Sequence, residues 1–408
     1  MQYKITSPTK IKSVVQLPSS KSISNRGLIL NALSLNTEPI INLSDCEDTQ
    51  VIIDAFNSDS NIFDVKAAGT AMRFLTAFLA GMEGEWIIKG THRMHERPIF
   101  PLVDTLLSLG ASIKYIEKEG YPPIKIKGRQ MKGGEVNLSG SISSQFISAL
   151  LMIAPLMESG LTIHIKNEII SKPYIDLTLN MMRKYGINAI WCENSIKIKH
   201  KRYKPFSLTV ESDWSAASYW YEMVALLPGS QVKLIGLEKE SMQGDSKTAE
   251  LFEYMGVTTK YLPDGVFISK TKQATDRFFY DFVNEPDLAQ TFIATCCFLN
   301  IRFVFSGLQS LKIKETDRIN AMITEMQKFG FILQAQKNSI LSWGGERCDA
   351  ETNPVIHTYD DHRMAMALAP ASIVYKSTLI NNPEVVSKSY PNFWNDLRSV
   401  GFEVEEVS

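Results

Sequence analysis

Six short polar loops that each run directly into an apolar helix constrain the fold more than any other feature of the chain. Each loop combines Ser, Gly, Thr or Asp with an apolar run behind it, which is the usual pattern of a helix N-terminus. After the first pair, the loops lie about 70 residues apart. They occupy residues 19–22, 68–71, 141–144, 212–215, 286–289 and 360–363.

A second element keeps the same spacing and consists of a helix end closed by glycine. Glycine in this position allows the left-handed conformation that commonly ends a helix. An apolar-alternating segment such as 111–116 or 402–407 follows each glycine and predicts a strand. Further strands are expected at 85–89, 161–165, 231–235 and 301–305. Together these elements predict about six βαβαββ-like units, three in each of two domains. The five glycines are Gly110, Gly186, Gly256, Gly330 and Gly401.

Charge and composition exclude several classes of protein. The 408 residues include 43 basic and 44 acidic side chains, so no basic excess points to nucleic acid or to an anionic membrane surface. The N-terminal segment lacks an apolar signal core, and the longest apolar runs, 146–157 and 364–374, are too short to cross a bilayer. We therefore expect a cytoplasmic protein. The odd cysteine count predicts free thiols at Cys46, Cys192, Cys296, Cys297 and Cys348.

Charged clusters at the loop–helix junctions predict a site for two or more anionic groups. Lys21 and Arg26 flank the first helix start, where free N–H groups and the helix dipole already favour an anion. Any one cluster alone is more simply a solvated charged turn, and only their repetition favours a binding site. The other clusters are 93–98, where Pro98 suits a first helical turn, and 171–176, 312–318, 360–364 and 387–391.

Two carboxylates stand among these cations. Asp287 precedes an apolar helix and is either a helix cap or a general base that meets an alcohol. Glu315, between Lys314 and Arg318, is a second candidate for proton transfer. The stretch 244–248 lacks the complete phosphate-loop pattern, and His92 and His95 lack a zinc motif, so neither is assigned a ligand.

Eight stretches of the chain resemble the 5-enolpyruvylshikimate-3-phosphate (EPSP) synthases, a family of enolpyruvyl transferases. The resemblance runs nearly from end to end. It implies an α/β fold of two domains, an inside-out α/β barrel of six βαβαββ repeats with the active site in the interdomain cleft. The implied domains are 1–17 with 212–408, and 18–211. The stretches are 17–26, 68–73, 93–99, 140–146, 171–176, 314–318, 361–366 and 387–393.

The resemblance also implies the reaction and its residues. The enolpyruvyl group of phosphoenolpyruvate passes to the 5-hydroxyl of shikimate 3-phosphate, and phosphate leaves through a tetrahedral intermediate. Asp287, Glu315 and Lys21 are the implied catalytic residues. Implied contacts to shikimate 3-phosphate are Lys21, Ser22, Arg26, Ser143, Ser144, Gln145, Ser171, Tyr174, Asp287, Ser310 and Lys314. Implied contacts to phosphoenolpyruvate are Lys21, Gly69, Arg97, Gln145, Arg318, Arg363 and Lys388.

No metal or organic cofactor is expected, because the cations can neutralise the developing charge. We expect a monomer whose partners are these two small molecules, with no nucleic acid and no membrane. Three positions depart from the family pattern. Ala67 and Phe74 replace a common asparagine and proline, and Ser310 replaces an asparagine that contacts the shikimate ring.

Two alternatives remain open. UDP-N-acetylglucosamine enolpyruvyl transferases share the implied fold, but they usually carry a cysteine in a mobile loop, and residues 81–98 contain none. A catalytically silent anion-binding protein of the same fold is the other alternative. Such a protein would be expected to have lost charged site residues, whereas this chain retains Lys21, Arg97, Asp287, Glu315, Arg318, Arg363 and Lys388.

Overall fold

A computed structural model describes residues 1–141 and 143–407, so Ile142, within the motif 140–146, lies outside the described residues. The strands are β1 Gln2–Thr6, β2 Lys12–Gln16, β3 Ile62–Asp64, β4 Gly84–Lys89, β5 Ser112–Tyr115, β6 Ile124–Gly128, β7 Gly134–Ser139, β8 Leu161–Lys166, β9 Ala189–Cys192, β10 Ser195–Ile198, β11 Gln231–Ile235, β12 Val257–Leu262, β13 Gly265–Lys270, β14 Arg277–Asp281, β15 Arg302–Ser306, β16 Gln334–Gln336, β17 Ile340–Trp343, β18 Val355–Ile356, β19 Ser377–Asn381 and β20 Glu403–Val407.

The helices include several that are only one turn long. They are α1 Lys21–Leu33, α2 Glu47–Asn57, α3 Gly69–Ala80, α4 His92–His95, α5 Phe100–Ser108, α6 Ser144–Ile153, α7 Lys172–Lys184, α8 Trp214–Leu226, α9 Thr248–Leu251, α10 Ala289–Phe298, α11 Arg318–Lys328, α12 His362–Leu368, α13 Ala371–Tyr375 and α14 Phe393–Ser399. Short 3-10 turns cover Ala154–Leu156, Gly244–Lys247, Phe252–Met255, Pro286–Leu288, Gln309–Ile313 and Pro383–Lys388.

All six predicted helix starts are confirmed. Helices α1, α3, α6, α8, α10 and α12 begin within or directly after the six polar loops. Four of them are capped by the residue type that the pattern predicts, and in α6 the cap is Ser143, which accepts from the Gln145 N–H. Ser20 accepts a hydrogen bond from the Ile23 N–H, Asp213 from Ala216 and Asp361 from Arg363. These caps satisfy N–H groups that the helix itself leaves open.

The five predicted glycine helix ends are also confirmed. Their φ angles are all positive, from 83° at Gly186 to 101° at Gly401. At Gly330 the chain reverses with two hydrogen bonds, from Gly330 N–H to the Gln327 carbonyl and from Phe331 N–H to the Met326 carbonyl. Residues with a Cβ rarely adopt this conformation, so glycine ends the helix at little cost.

Five four-stranded sheets among the described residues share one topology. In each, two parallel strands are followed by two antiparallel ones, as in the order β7-β8-β10-β9. The sheet β18-β19-β1-β20 takes its third position from the first strand of the chain. The same order appears in β14-β15-β17-β16, β3-β4-β6-β5 and, read from its other edge, β12-β13-β11-β2. The predicted repeat is therefore present in five copies.

The sixth expected repeat differs from the other five. Helices α1 and α2 are present, but within the described part of the chain their unit has a single parallel bridge, Ile41 with Thr209, in place of a four-stranded sheet. Pro39 and Pro205 stand in the two segments that would pair. Because proline lacks an N–H and interrupts a ladder, these segments do not extend the pairing.

The chain divides into two compact units. The terminal unit comprises Met1–Pro18 and Glu211–Ser408, and the central unit comprises Ser19–Val210. In the terminal unit α10 packs against α8, α11 and α12, and all ten of its residues are buried. In the central unit α3 packs against α1, α2 and α6. Helices that are largely apolar on every side are buried inside a unit. Both α3 and α10 are of this kind, and each begins at one of the six polar loops.

The sequence predicted that Pro98 lies in the first turn of a helix, and this prediction is wrong. Helix α5 begins at Phe100, with Pro101 in its first turn, so Pro98 lies before the helix.

No helix in residues 1–141 or 143–407 is long and apolar enough to cross a membrane.

Candidate active site

The terminal unit gathers most of its predicted site residues around the guanidinium of Arg318. Arg318 opens α11 and is only 1% exposed. Its Nη1 donates to Asp287 Oδ1 at 3.1 Å and its Nη2 to Glu315 Oε2 at 2.8 Å. Its Nε and Nη2 also donate to the two oxygens of Asp361, at 2.7 and 3.1 Å. One buried arginine thus fixes the positions of three carboxylates.

Electrostatics in this cluster favour the charged form of the arginine. Burial alone would lower the pKa of Arg318, but Asp361, Glu315 and Asp287 together raise it above its ordinary value. Burying a charge is tolerated when it is paired and hydrogen-bonded, and Arg318 donates four hydrogen bonds to the three carboxylates. Asp361 also caps α12, so the same carboxylate positions both a helix and the arginine.

Asp287 lies where three cations converge. It belongs to the 3-10 turn before α10 and accepts hydrogen bonds from Arg318, from Arg363 Nη2 at 3.0 Å and from Lys314 Nζ at 3.5 Å. Arg363 Nη1 also donates to the hydroxyl of Tyr219 at 3.3 Å. Burial raises the pKa of Tyr219 to about 12, against the opposing effect of Arg363, so the phenol stays neutral. The Asp287 carboxylate is therefore held in one orientation by its surroundings.

Two predicted residues of the terminal unit lie apart from the carboxylate cluster. Lys388 ends a 3-10 turn and donates to the Asp360 carbonyl at 2.6 Å, directly before α12. Ser310 lies in the turn Gln309–Ile313, and the described residues offer its buried Oγ no hydrogen-bond partner.

In the central unit, Gly69 opens α3 between two arginines. A Cβ built on Gly69 would lie 2.8 Å from Arg73 Nη1 and 2.8 Å from Arg97 Nη2. Arg73 Nη1 donates to the Gly69 carbonyl at 3.0 Å, and Gln145 Nε2 from α6 donates to Thr70 Oγ1 at 3.1 Å. The structure therefore brings Gly69, Arg97 and Gln145 together at the adjacent starts of α3 and α6.

Lys21 occupies the first turn of α1 and forms an ion pair with Asp48 of α2, with 2.9 Å between Nζ and Oδ2. Both side chains are largely buried, at 15% and 11% exposure. Ser143 caps α6 by accepting from the Gln145 N–H at 3.3 Å, and Ser144 is buried behind it. Ser171 directly precedes α7 and adopts the left-handed conformation, with φ at 57°.

Arg26 points into the central unit. Its Nε donates to Thr178 Oγ1 at 2.7 Å, its Nη1 to the Ser22 carbonyl at 2.9 Å and its Nη2 to the Tyr174 carbonyl at 3.3 Å. Burial lowers the pKa of Arg26 to about 10. Its guanidinium also lies 5.2 Å from the ring centre of Phe74, one of the residues that departs from the family pattern. Phe74 thus supports this arginine through a cation–π contact.

Several residues in these clusters were not predicted from the sequence. Arg73 stands in an otherwise apolar helix, four residues after Gly69, and that isolated charge is a usable signal. Asp361 lies inside the charged cluster 360–364, but its pairing with Arg318 spans 43 residues and leaves no local pattern. Neither Asp48 nor Tyr219 belongs to a sequence pattern that would indicate a site residue.

Fold and candidate site together define a class: a two-unit α/β protein with five like-ordered sheets among its described residues, and with arginines and lysines collected at helix starts, where N–H groups favour anions. A family model described as EPSP synthase (3-phosphoshikimate 1-carboxyvinyltransferase) matches residues 5–59 and 52–397. The chain belongs to the EPSP synthase family.

Individual relatives agree over the full length of the chain. A Bacteroides fragilis protein named 3-phosphoshikimate 1-carboxyvinyltransferase is 52% identical over 406 residues, with 99% of each chain covered. A Haemophilus influenzae protein of the same name is 36% identical over 422 residues, with 96% of each covered. The solved EPSP synthase of Acinetobacter baumannii has a TM-score of 0.79 at 20% identity, covers 99% of this chain and is itself covered completely. That last likeness concerns the fold alone.

Proposed function

We propose that the chain transfers the enolpyruvyl group of phosphoenolpyruvate to the 5-hydroxyl of shikimate 3-phosphate, with release of phosphate. Family membership over the whole chain is the observation that carries this assignment. The 5-hydroxyl oxygen attacks C2 of phosphoenolpyruvate while its proton passes to Asp287. The methylene carbon gains a proton, and the tetrahedral intermediate then loses a proton from that carbon and phosphate from C2.

The proposed roles of the terminal unit follow from the contacts of Asp287 and Glu315. Asp287 is the base for the hydroxyl, since three cations orient its carboxylate without burying it completely. Glu315 takes part in proton transfer at the methylene carbon, with Lys21 assisting. Arg318, Arg363 and Lys388 bind phosphoenolpyruvate, which carries a carboxylate and a phosphate that suit arginine's paired donors. Lys314 and Ser310 bind shikimate 3-phosphate.

The central unit supplies the remaining proposed contacts. Gly69, Arg97 and Gln145 receive phosphoenolpyruvate, and Arg73 belongs beside them because it flanks Gly69 from the other side. The serine hydroxyls and backbone N–H groups at the starts of α1 and α6 suit a phosphate ester. Arg26 contributes by fixing Ser22 and Tyr174, to whose carbonyls it donates. The proposed shikimate 3-phosphate contacts here are Lys21, Ser22, Arg26, Ser143, Ser144, Gln145, Ser171 and Tyr174.

A coupled phosphate-release assay tests the assignment. With both substrates present we expect steady phosphate release, and with shikimate 3-phosphate omitted we expect none. Undiminished release without the acceptor would contradict the proposal. Turnover with UDP-N-acetylglucosamine as acceptor would support the related transferase instead, and a complete lack of release would support a silent binding protein.

Gly69→Ala should weaken the use of phosphoenolpyruvate in particular. The added methyl group needs space now filled by the guanidinium groups of Arg73 and Arg97. Displacing such groups by about 1 Å can cost up to ~10²-fold, so we expect kcat/KM for phosphoenolpyruvate to fall about 10–10²-fold, mainly through KM. Initial rates at varied phosphoenolpyruvate measure this.

The matched control for that substitution is Gly81→Ala, at the other end of α3. A Cβ there meets Met131 and Phe78 at ordinary contact distances of 3.5 and 3.7 Å. Its kinetics should remain near wild type. An unchanged KM in Gly69→Ala would show that the two arginines do not receive phosphoenolpyruvate.

We further propose that the chain acts as a monomer in the cytoplasm. Five free cysteines suit a reducing compartment, where thiols persist. Sedimentation at the mass of one chain, together with recovery in the cytosolic fraction of the host cell, would support these two points, and a stable dimer would contradict the first.

A further inference from the structure

Glu325 is a buried carboxylate that the proposed mechanism does not use. It lies on α11, about two helical turns after Arg318, and its side chain is 0% exposed. Its Oε1 and Oε2 accept hydrogen bonds from Lys328 Nζ at 2.9 and 2.8 Å. The charge of this acid is therefore paired within its own helix, and each oxygen can accept a further hydrogen bond.

Those further bonds come from the segment that precedes α12. Tyr359 donates its hydroxyl to Glu325 Oε1 at 2.7 Å, and the His357 N–H donates to Glu325 Oε2 at 3.1 Å. Lys328 Nζ also donates to the carbonyl of Val355, in β18, at 2.8 Å. Helix α11 thus holds the chain between β18 and α12 at three points. Each of these bonds involves a charged group and is stronger for that reason.

The segment held in this way contains a four-residue turn, 358–361, with an unusual backbone. The Asp361 N–H donates to the Thr358 carbonyl at 2.9 Å, and the two central residues, Tyr359 and Asp360, have φ angles of 54° and 53°. Two successive positive φ angles are those of a type I′ turn, for which Asn-Gly is the preferred sequence. Tyrosine is unfavourable in this conformation, so the turn keeps its shape because its surroundings hold it.

The second half of the 358–361 turn contacts two proposed phosphoenolpyruvate ligands. The Asp360 carbonyl accepts from Lys388 Nζ at 2.6 Å. The Asp361 carboxylate accepts from Arg318 Nε at 2.7 Å and from its Nη2 at 3.1 Å. A change of the turn conformation would move the acceptors of both cations together. The backbone of the turn therefore sets where Lys388 and Arg318 lie.

We propose that Glu325 and Tyr359 are positioning residues for the binding of phosphoenolpyruvate. They act by holding the 358–361 turn in the conformation that places the two cations, Lys388 and Arg318. The inference rests on the proposed function, and neither Glu325 nor Tyr359 touches a substrate in this scheme. Because Tyr359 is 37% exposed, packing alone holds it weakly, and its hydrogen bond to the buried acid secures the turn.

The proposed effect is selective for one substrate. The proton-transfer groups Asp287 and Glu315 lie outside the turn, and each keeps its own bond to Arg318. The shikimate 3-phosphate contacts Ser310 and Lys314 lie outside it as well. Loss of the turn conformation should therefore raise KM for phosphoenolpyruvate, while kcat and KM for shikimate 3-phosphate change little. A purely structural role would lower stability without separating these constants.

Tyr359→Phe tests the inference because it removes the hydroxyl and keeps the ring. We expect KM for phosphoenolpyruvate to rise about 3–10-fold, the order expected when one hydrogen bond that holds a turn is lost. Initial rates at varied phosphoenolpyruvate and saturating shikimate 3-phosphate measure this. Replacing Glu325 itself would leave the Lys328 ammonium without its carboxylate and destabilise the unit, so the smaller change is the cleaner one.

A double variant, Tyr359→Asn with Asp360→Gly, separates the turn conformation from the hydrogen bond. It also lacks the phenol, but Asn-Gly favours the type I′ conformation by itself. Asp360 binds Lys388 through its backbone carbonyl, which glycine retains. The KM for phosphoenolpyruvate should therefore return close to the wild-type value.

Tyr375→Phe is the matched control. The Tyr375 hydroxyl donates to the Phe329 carbonyl at 2.9 Å, directly after α11, so the same chemical change removes a hydrogen bond from the same region. This variant should lower the melting temperature and leave KM for phosphoenolpyruvate unchanged.

An unchanged KM in Tyr359→Phe would overturn the inference, and so would a double variant whose KM stays as high as that of Tyr359→Phe. An equal rise of KM in Tyr375→Phe would overturn it too, since the effect would then be a general loss of stability. These results leave the proposed function intact, because the wild-type chain would still release phosphate from the two substrates. Absence of phosphate release in wild type would instead count against the function itself.

Discussion

Asp287→Asn should lower kcat by about 10²–10⁴-fold, the usual contribution of a positioned acid or base. Asparagine keeps the size of the side chain and one oxygen that can accept from Arg318 or Arg363, but it cannot take the hydroxyl proton. The KM values for both substrates should change far less than kcat, because the cations that bind anions remain. Steady-state phosphate release at saturating substrates measures the effect.

Asp281→Asn is the matched control for this experiment. Asp281 lies on the exposed end of β14, where its carboxylate accepts a local hydrogen bond from the Val283 N–H at 3.0 Å. The same chemical change there should leave kcat near wild type. If Asp287→Asn also retained nearly full turnover, Asp287 would be a helix-start acid and not the base.

Glu315→Gln should lower turnover within a similar range of about 10²–10⁴-fold, but through a different proton. Glu315 accepts from Arg318 at 2.8 Å, and it is the carboxylate that we assign to the methylene carbon of phosphoenolpyruvate. Deuterium exchange from solvent into that methylene group should therefore be suppressed more in Glu315→Gln than in Asp287→Asn. Mass spectrometry of recovered phosphoenolpyruvate provides the measurement.

The exchange experiment separates the two carboxylates directly. Glu384→Gln, an exposed acid in the turn Pro383–Lys388, is the control and should exchange like wild type. If Glu315→Gln exchanged as fast as wild type while Asp287→Asn did not, the two proton-transfer roles would be reversed.

Helix starts, helix ends and most strands could be predicted because their determinants are local. A serine or aspartate caps N–H groups two or three residues away, and a glycine ends a helix where it stands, as Ser20 and Gly330 do. Repetition of these signals indicated the βαβαββ unit that five sheets display. The sequence predicted a sixth complete unit, and the loss of its sheet was not foreseen because its prolines act through pairing between distant segments.

The contacts of the site residues were harder to predict than the helices and strands, because they join segments that are distant in the sequence. The family resemblance implies Arg26 as a ligand contact, but it does not indicate that the guanidinium also donates to Thr178 and to two carbonyls of the central unit. Asp361 and Asp48 acquire their importance only from partners 43 and 27 residues away. A motif records which residue types are present, but not which of their polar atoms a neighbouring helix already occupies.

By itself, the sequence determined the α/β class, the positions of the helix starts and the clustering of cations beside them, since these depend on residues close together in the chain. Tertiary structure decided which of those groups meet. It placed three carboxylates on Arg318, three cations on Asp287, and the hydroxyl of Tyr359 on the buried acid Glu325. Such arrangements arise from packing of helices that are far apart in the chain, and burial then makes their charges interact strongly.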